Sequence, residues 1–284
     1  MAGEWPDVRV FDLASKITKG TTPTKKDGGY SREGVNFLKA EAITDSGNIN
    51  QLKLAHVTLD VHNKYRRSHL AENDVLFTMA GVLGRSALIR KEHLPANTNQ
   101  AIALIRPKIE SVFPQYLFYA LRNPVLVYYV NNSTSQSAQP NINLAQIGDL
   151  AIKAPPLPEQ KAIAHVLGSL DDKIELNRRM NETLEGMAQA LFKSWFVDFD
   201  PVIDNALAAG NPIPEPLAQR AETRRQALAN GTANRESAQA FPTSFRFTEE
   251  LGWIPEGWEA GILSEMLDVK YGKDHKKLAD GNIP

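Results

Sequence analysis

The sequence has no cysteine among its 284 residues and no apolar run long enough to cross a membrane. Without cysteine, disulfides and thiolate-based metal or catalytic sites are excluded. The N-terminus, MAGEWPDVRV, lacks the apolar stretch of a signal peptide. The composition, with 42% hydrophobic and 23% charged residues, is typical of a globular protein, and we expect a cytoplasmic location.

The common motifs of nucleotide and metal chemistry are also missing. No Gly-x-Gly-x-x-Gly stretch opens a helix, and the sequence contains neither a phosphate-binding P-loop motif nor the Asn/Asp-Pro-Pro-Tyr/Phe motif of an amino-methyltransferase. The six histidines show no metal-ligand spacing. We therefore expect no catalytic residue, cofactor or metal in this chain.

Charge is distributed unevenly along the chain. Residues 1–155 carry 18 Lys and Arg against 13 Asp and Glu, whereas residues 156–200 carry 5 against 8 and residues 201–284 carry 9 against 12. A basic N-terminal part on an otherwise acidic chain points weakly to a polyanion partner. A basic domain that owes its charge to solubility alone would show the same imbalance.

The first 155 residues contain short strand-like runs separated by turn residues, which predicts a mixed α/β domain dominated by a twisted sheet. A helix is expected to begin at Pro114 and to end before Asn123, and a second helical stretch is expected over 125–130. The polar segment 131–141 is predicted to be an exposed loop. The chain as a whole is predicted to belong to the α+β class.

A proline-rich stop at 155–158 precedes a long stretch that favours helix. Beyond it, apolar residues and two asparagines alternate at spacings of four and three, which predicts a coiled-coil-type helix from about Glu159 to Val197 in a central region, 156–200. A helix packed only on its own domain would be amphipathic too, but one this long needs a partner helix. This heptad seam consists of Ile163, Leu167, Leu170, Ile174, Asn177, Asn181, Leu184, Ala188, Leu191 and Trp195.

The composition changes again after the central region. Residues 201–245 are rich in Ala, Pro, Asn and Gln and are predicted to be a linker or surface excursion, with a short helical stretch around 215–230. Residues 246–284 loosely repeat the start of the chain: Trp253-Ile-Pro-Glu-Gly-Trp corresponds to Trp5-Pro-Asp. We interpret this last segment as the opening of an incomplete second copy of the first domain.

Several of these stretches resemble the specificity (S) subunit of type I restriction–modification systems. The segment from Ala154 to Pro201, which begins APPLPEQ, resembles the conserved central region of that family. The Gly20-Thr-Thr-Pro stretch, the Gly81-Val-Leu-Gly-Arg run and Asn99-Gln100 resemble its target recognition domain. The final segment, Leu251-Gly-Trp-Ile-Pro, resembles the entry into a second such domain.

The resemblance implies two recognition domains held apart by paired helices, each reading one half of a bipartite site in double-stranded DNA. The subunit itself has no catalysis: modification (methyltransferase) subunits carry the S-adenosylmethionine chemistry, and a separate restriction/translocase subunit moves and cuts DNA. This sequence departs from that pattern because most of the second recognition domain and the whole second helix are missing. On this basis we expect a homodimer formed through the long helix.

Candidate DNA contacts lie in four segments of the first domain. Basic, hydroxyl and glycine residues suit phosphate, an arginine suits guanine, and Gln and Asn suit adenine. Each segment could equally be a solvated loop, a plain turn or a connector. The candidates are Lys19, Thr21, Thr22, Lys25, Lys26, Tyr30, Arg32, Arg66, Arg67, Gly81, Gly84, Arg85, Ser133, Gln136, Gln139 and Asn141.

The long helix is the candidate surface for protein partners. Besides the heptad seam, Phe192 and Phe196 lie off its line and are expected to face a modification subunit. The rival hypothesis is a coiled-coil assembly scaffold without sequence-specific DNA binding. A nuclease or methyltransferase that acts alone is the third.

Overall fold

The computed structural model describes residues 4–133, 141–232 and 235–262. The chain divides into two compact units, Met1–Glu175 and Leu176–Pro284. Their boundary lies inside the long helix, whereas the sequence predicts an end of the first domain at residue 155, so the predicted domain bounds stay predictions.

Strands and short helices alternate in the first unit. Its helices are α1 (Val10–Leu13), α2 (Leu59–Lys64), α3 (Pro114–Leu121), α4 (Pro124–Ser133) and α5 (Leu144–Gly148). Its strands are β1 (Asp7–Arg9), β2 (Ala14–Lys19), β3 (Val35–Leu38), β4 (Ala55–Val57), β5 (Val75–Thr78), β6 (Ser86–Leu88), β7 (Ala96–Thr98), β8 (Ile102–Pro107) and β9 (Ala151–Lys153).

Two small sheets form the centre of this unit. One has the order β2-β8-β5-β6 with antiparallel neighbours, and the other has the order β4-β3-β7, in which β3 runs parallel to β7. β1 pairs with β9, which brings the start of the chain beside the strand that leads into the long helix. The two central strands of the four-stranded sheet, β5 and β8, are almost continuously apolar because both faces of the sheet are covered there: Phe77 and Ile105 pack in one core cluster, Leu76 and Leu104 in another.

The helix predicted at Pro114 is confirmed. It begins at Pro114, where the missing N–H costs nothing, and ends at Leu121, before the Asn123-Pro124 pair. The second stretch is longer than predicted, because α4 continues to Ser133. The first three residues of the predicted loop, 131–133, are therefore helical, and residues 134–140 lie outside the described residues.

The long helix α6 spans Leu157–Phe192 and is followed by a π-helical turn at Lys193–Val197. Its 36 residues correspond to about 54 Å, so the predicted long helix is confirmed. Its first turns pack on the first unit: Gln160 accepts a hydrogen bond from the backbone of Phe113 at 2.8 Å, and Ala164 is buried.

A polar contact between Tyr119 and Asp171 completes this packing. The Tyr119 hydroxyl donates to Asp171 Oδ2 at 2.9 Å, and Arg122 lies 3.4 Å from the same oxygen. Burial, together with that hydrogen bond, raises the pKa of Tyr119 to about 12, so the hydroxyl remains a donor at neutral pH. Four turns of α6 thus belong to the first unit's packing, which explains why the boundary falls near residue 175 and not at 155.

The second unit contains packed helices where the sequence analysis expected a linker. These are α7 (Asp200–Ala209), α8 (Ala218–Ala229) and α9 (Arg235–Ala238), followed by a hairpin of β10 (Phe245–Thr248) and β11 (Gly252–Pro255). The helical stretch predicted around 215–230 is present as α8. The linker interpretation is corrected, because two buried carboxylates of α7 pair with arginines of α8 and hold the helices together.

The predicted repeat of the first domain lies mostly outside the described residues. Within them, Trp253 belongs to β11 and Trp258 follows that strand. The interpretation of residues 246–284 as the start of a second recognition domain stays a prediction.

Candidate nucleic-acid interface

The four-stranded sheet brings several of the predicted segments to one end. β2 and β5 end where β8 and β6 begin, as the pairs Lys19 with Ala103, Thr78 with Ile102 and Phe77 with Ser86 show. The loops 20–32, 79–85 and 99–101 all leave the sheet there. We call this the loop end of the sheet.

The first loop is held closely against the loop end. Thr21 N donates to the carbonyl of Thr98 at 3.0 Å, and Thr22 N donates to Gln100 Oε1 at 3.2 Å. A Cβ on Gly20 would lie 1.9 Å from the carbonyl oxygen of Thr98, so only glycine permits this close approach. The backbone at 20–22 is therefore fixed before any ligand arrives.

Asp27 holds the turn that carries Lys25 and Lys26. Its carboxylate accepts hydrogen bonds from Lys64, from Thr24 Oγ1 at 2.6 Å and from the Tyr65 hydroxyl at 2.5 Å. These donors, Lys64 first, hold the pKa of Asp27 well below its usual range.

The hydrogen bonds of Asp27 neutralise one of the three lysines near this turn and leave the other two charged and exposed. Lys64 is neutralised by Asp27, whereas Lys25 and Lys26 are exposed and make no ion pair with any described residue.

Arg66 and Arg67 lie on a short turn that contacts β2. Arg67 Nη2 donates to Thr21 Oγ1 at 3.2 Å, and Lys16 Nζ donates to the carbonyl of Arg67 at 3.4 Å. The predicted segments 19–32 and 64–67 thus form one basic surface. Lys16 and Gln100 also contact this surface, although neither is among the residues predicted from the sequence. The alternation of β2 does not distinguish Lys16 from its neighbours, and Gln100 occurs only in the Asn99-Gln100 pair that resembles the family.

Tyr30 and Arg32 lie farther along this loop, at the start of β3. The Tyr30 ring packs edge-on against Phe37 at 5.4 Å, and Lys39 Nζ lies 4.7 Å from its centre. Ser31 pairs with His56 of β4, in the three-stranded sheet, which directs this part of the loop away from the loop end. Tyr30 contributes to packing here, and its role in DNA contact, like that of Arg32, stays a prediction.

Arg85 is bound to the protein itself. Its Nε donates to Asp45 Oδ1 at 2.6 Å and its Nη1 donates to the carbonyl of Ile43 at 3.0 Å. These two bonds use two of the five guanidinium N–H donors, and a bidentate contact to guanine would have to use the others or replace these bonds. Arg85 therefore links its loop to the segment at 43–45, and its predicted contact to DNA stays a prediction.

The fourth candidate segment reaches the loop end through Asn141. This residue pairs with Ala80 as an isolated bridge, and Ile142 N donates to the carbonyl of Met79 at 3.0 Å. Ser133 is the last residue of α4, and Gln136 and Gln139 lie outside the described residues. The segment therefore ends beside the loop that contains Gly81 and Gly84.

The helix α6 carries a continuous band of exposed apolar side chains beyond its first turns. Ile163 is half-buried against the first unit's core, and from Leu170 onward the large apolar seam residues of α6 are about half exposed. Asn177 and Asn181 are exposed too. The exposed apolar residues of this helix, on and off the seam, are Val166, Leu167, Leu170, Ile174, Leu176, Met180, Leu184, Met187, Leu191 and Phe192.

The two phenylalanines at the end of the helix differ. Phe192 is 61% exposed, whereas Phe196 stacks on Trp258 at 5.9 Å and contacts Phe241. Trp195, the last seam residue, packs edge-on against Phe241 at 5.5 Å. Phe196 and Trp195 thus contribute to packing inside the second unit. The Phe192 ring lies 5.1 Å from that of Phe196, but Phe192 remains the more exposed of the two phenylalanines.

A comparison with protein-family models identifies the family to which the chain belongs. The model described as "Type I restriction modification DNA specificity domain" matches residues 2–186. The chain belongs to this family. That match confirms the resemblance seen in the sequence.

Two curated relatives are both named as specificity subunits. The type I restriction enzyme HindI specificity subunit of Haemophilus influenzae is 34% identical over 197 residues, which cover 61% of this chain and 42% of the relative. The MjaIX specificity subunit of Methanocaldococcus jannaschii is 24% identical over 226 residues, covering 78% and 50%. This chain thus spans half or less of the length of either relative.

Among solved structures, the crystal structure of the HsdS subunit from Thermoanaerobacter tengcongensis matches with a TM-score of 0.48 at 20% identity. The match covers 76% of this chain and 51% of that one. Specificity subunits are the non-catalytic component of type I restriction–modification complexes, in agreement with the expected lack of catalytic residues. Across the described ranges, no group of three metal-ligating side chains and no helix able to cross a membrane occurs.

Proposed function

We propose that this chain reads one half of a bipartite DNA target through the loop end of the four-stranded sheet. The convergence of the segments at 19–26, 66–67, 79–85 and 141 on that end is the observation that carries the proposal. Their basic and polar side chains suit phosphate and base edges, and their backbones are held by hydrogen bonds to one another. Membership of the specificity family supports the same assignment.

Within this surface, Lys25, Lys26, Arg66 and Arg67 contact phosphates. They are exposed, and none of them forms an ion pair with a described residue, so their charge is available to a polyanion. Contacts to phosphate orient a protein on the duplex without carrying sequence information. Base reading then belongs to the loops at 79–85 and 133–141.

The helix α6 docks the modification subunits, which bring S-adenosylmethionine, and through them the restriction subunit. A protein rarely exposes an apolar band of this length to water, and such bands mark interfaces. Phe192 lies at the end of the band and is exposed enough to be an anchor.

The same helix also pairs with a second copy of the chain. Burial of each large seam side chain contributes roughly 1.5–3 kcal/mol, which exceeds the cost of association when several are buried together. Two copies related by a two-fold axis carry two identical readers, so the target is an interrupted palindrome.

A mobility-shift assay with and without the modification subunit tests the DNA-reading function. A duplex that carries the target should be retained in the presence of a large excess of random-sequence competitor, whereas an unrelated duplex is displaced. A coiled-coil scaffold without DNA recognition would show no sequence preference under either condition, and that result would reject the proposal.

A further inference from the structure

The loop between β5 and β6 presents a single apolar side chain at the loop end. Val82 is 51% exposed, while its neighbour Leu83 is only 5% exposed and packs in the main core cluster. Because Leu83 points into the core, the adjacent Val82 is held outward. Gly81, Gly84 and Arg85, the residues of this stretch predicted from the sequence, do not place an apolar side chain on this surface.

Hydrogen bonds fix this loop before any ligand binds. The Thr78 hydroxyl donates to the carbonyl of Val82 and accepts from Arg85 N at 2.9 Å, which closes the loop on itself. Met79 N donates to the carbonyl of Ala101 at 2.7 Å.

Two glycines give the loop its shape. Gly81 and Gly84 have φ of 76° and 82°, which residues with a Cβ rarely adopt. Because the loop already holds Val82 in this direction, binding does not require a further loss of conformational entropy to orient it.

We propose that Val82 is a specificity-determining residue that contacts the 5-methyl group of a thymine in the major groove. This inference rests on the proposed reading of DNA by the loop end. On a surface of basic and polar groups that face a polyanion, an exposed valine finds no partner among phosphates. The thymine methyl is the apolar group that the major groove offers, and it distinguishes A·T from the other base pairs.

Two other partners would use Val82 differently. A wedge that enters the minor groove and unstacks a base step is usually a larger side chain, such as Phe, Leu, Ile or Met, and it does not depend on a methyl group in the major groove. A contact to a modification subunit would not depend on the DNA bases at all. Both are outcomes that the following experiment separates.

The experiment uses the duplex that the full chain, with its modification subunit, enriches from random sequences. Each thymine of one half-site is replaced in turn by deoxyuridine, which removes one methyl group and keeps the base pair. We expect one position at which this lowers the affinity of the unmodified protein roughly fourfold, the equivalent of one buried methylene. Val82→Ala should lose that dependence, and Val82→Thr, which keeps one methyl group, should retain it.

Ile109→Ala is the matched control, because Ile109 is an exposed apolar residue that follows β8 at the opposite end of the sheet. It should behave like the unmodified protein at every position.

Three results would overturn the inference while specific binding persists. They are a half-site without thymine on either strand, indifference of the unmodified protein to every deoxyuridine, and a Val82→Ala variant that keeps the dependence. A Val82→Ala variant that instead loses its modification subunit with base preference unchanged would assign Val82 to a protein contact and also overturn it. Absence of any sequence preference in the unmodified protein would reject the proposed function itself, and the inference with it.

Discussion

At the scale of single residues, the basic side chains of the loop end should contribute mainly to general affinity. Neutralising Lys25, Lys26, Arg66 or Arg67 one at a time is expected to weaken binding similarly on all sequences. Each loss should lower the salt dependence, the slope of log K against log salt, by about 0.9. Filter binding across a salt series measures both quantities.

The control is Lys91→Gln, an exposed lysine that follows β6 at the opposite end of the sheet. It should leave the slope unchanged. If one of the four substitutions instead relaxes the preference at a single base pair, that residue reads a base and the phosphate assignment is wrong.

The hydrogen bonds of Asp27 predict how the stability of the fold depends on pH. Its folded-state pKa is held below the ordinary value by Lys64, Thr24 and Tyr65, so its network stabilises the fold above the unfolded-state pKa of about 3.9. That contribution is lost as the pH falls through the folded-state pKa. The free energy of unfolding of Asp27→Asn should therefore be lower than that of the unmodified protein at pH 7, and the difference should shrink below about pH 4. Urea denaturation at several pH values decides; a difference that is constant with pH would contradict the network.

At the scale of elements, the pairing of α7 with α8 depends on buried ion pairs. The side chain of Asp204 is 4% exposed and that of its partner Arg224 is 18% exposed. Asp204→Ala removes the main partner of a largely buried guanidinium and leaves it only the longer contact to Asp200 at 3.9 Å, which should cost about 3 kcal/mol.

The joint change Asp204→Leu and Arg224→Met should recover much of this loss, because it removes both charges together. The loss of stability is measured by denaturant unfolding in which proteolysis of the second unit reports the unfolded fraction. Equal losses in the single and double variants would show that packing, and not the ion pair, holds these helices.

The exposed phenylalanine at the end of α6 is predicted to contact the modification subunit. Phe192→Ser should abolish co-purification with the modification subunit and leave the first unit folded, as judged by circular dichroism. Leu59→Ser is the control, since Leu59 is equally exposed but lies on α2 in the first unit. Retained co-purification of Phe192→Ser would move the interface elsewhere. Phe196 is the weaker probe, because it also packs on Trp258.

The elements show what the sequence can and cannot predict. The helix at Pro114 and the long helix α6 were predictable because proline placement and heptad spacing are local signals. The helical stretch of α8 was predicted, but α7 and the packing of α7 on α8 were not, because the pairing of Asp200 with Arg220 across 20 residues leaves no periodic signal in the sequence. At the candidate site, the segments are predicted from residue type alone, whereas the binding of Arg85 to Asp45 depends on a tertiary contact across 40 residues that the sequence does not show.

At the scale of the whole molecule, the proposed DNA-reading unit is followed by a helix that carries an exposed apolar band. The proposal requires that the chain forms a homodimer, since the apolar band on α6 is exposed in a single copy. Sedimentation of the chain with the modification subunit should show two copies per complex. A complex with one copy would contradict the pairing without touching DNA recognition.

The most direct test of the central claim is selection of bound duplexes from random sequence by the chain together with its modification subunit. The account predicts that sequencing will recover an interrupted palindrome, with two identical half-sites separated by a gap of fixed length. Substitutions at the loop end should alter both half-sites in the same way. No enrichment, or enrichment of an asymmetric target with two unrelated halves, would contradict it.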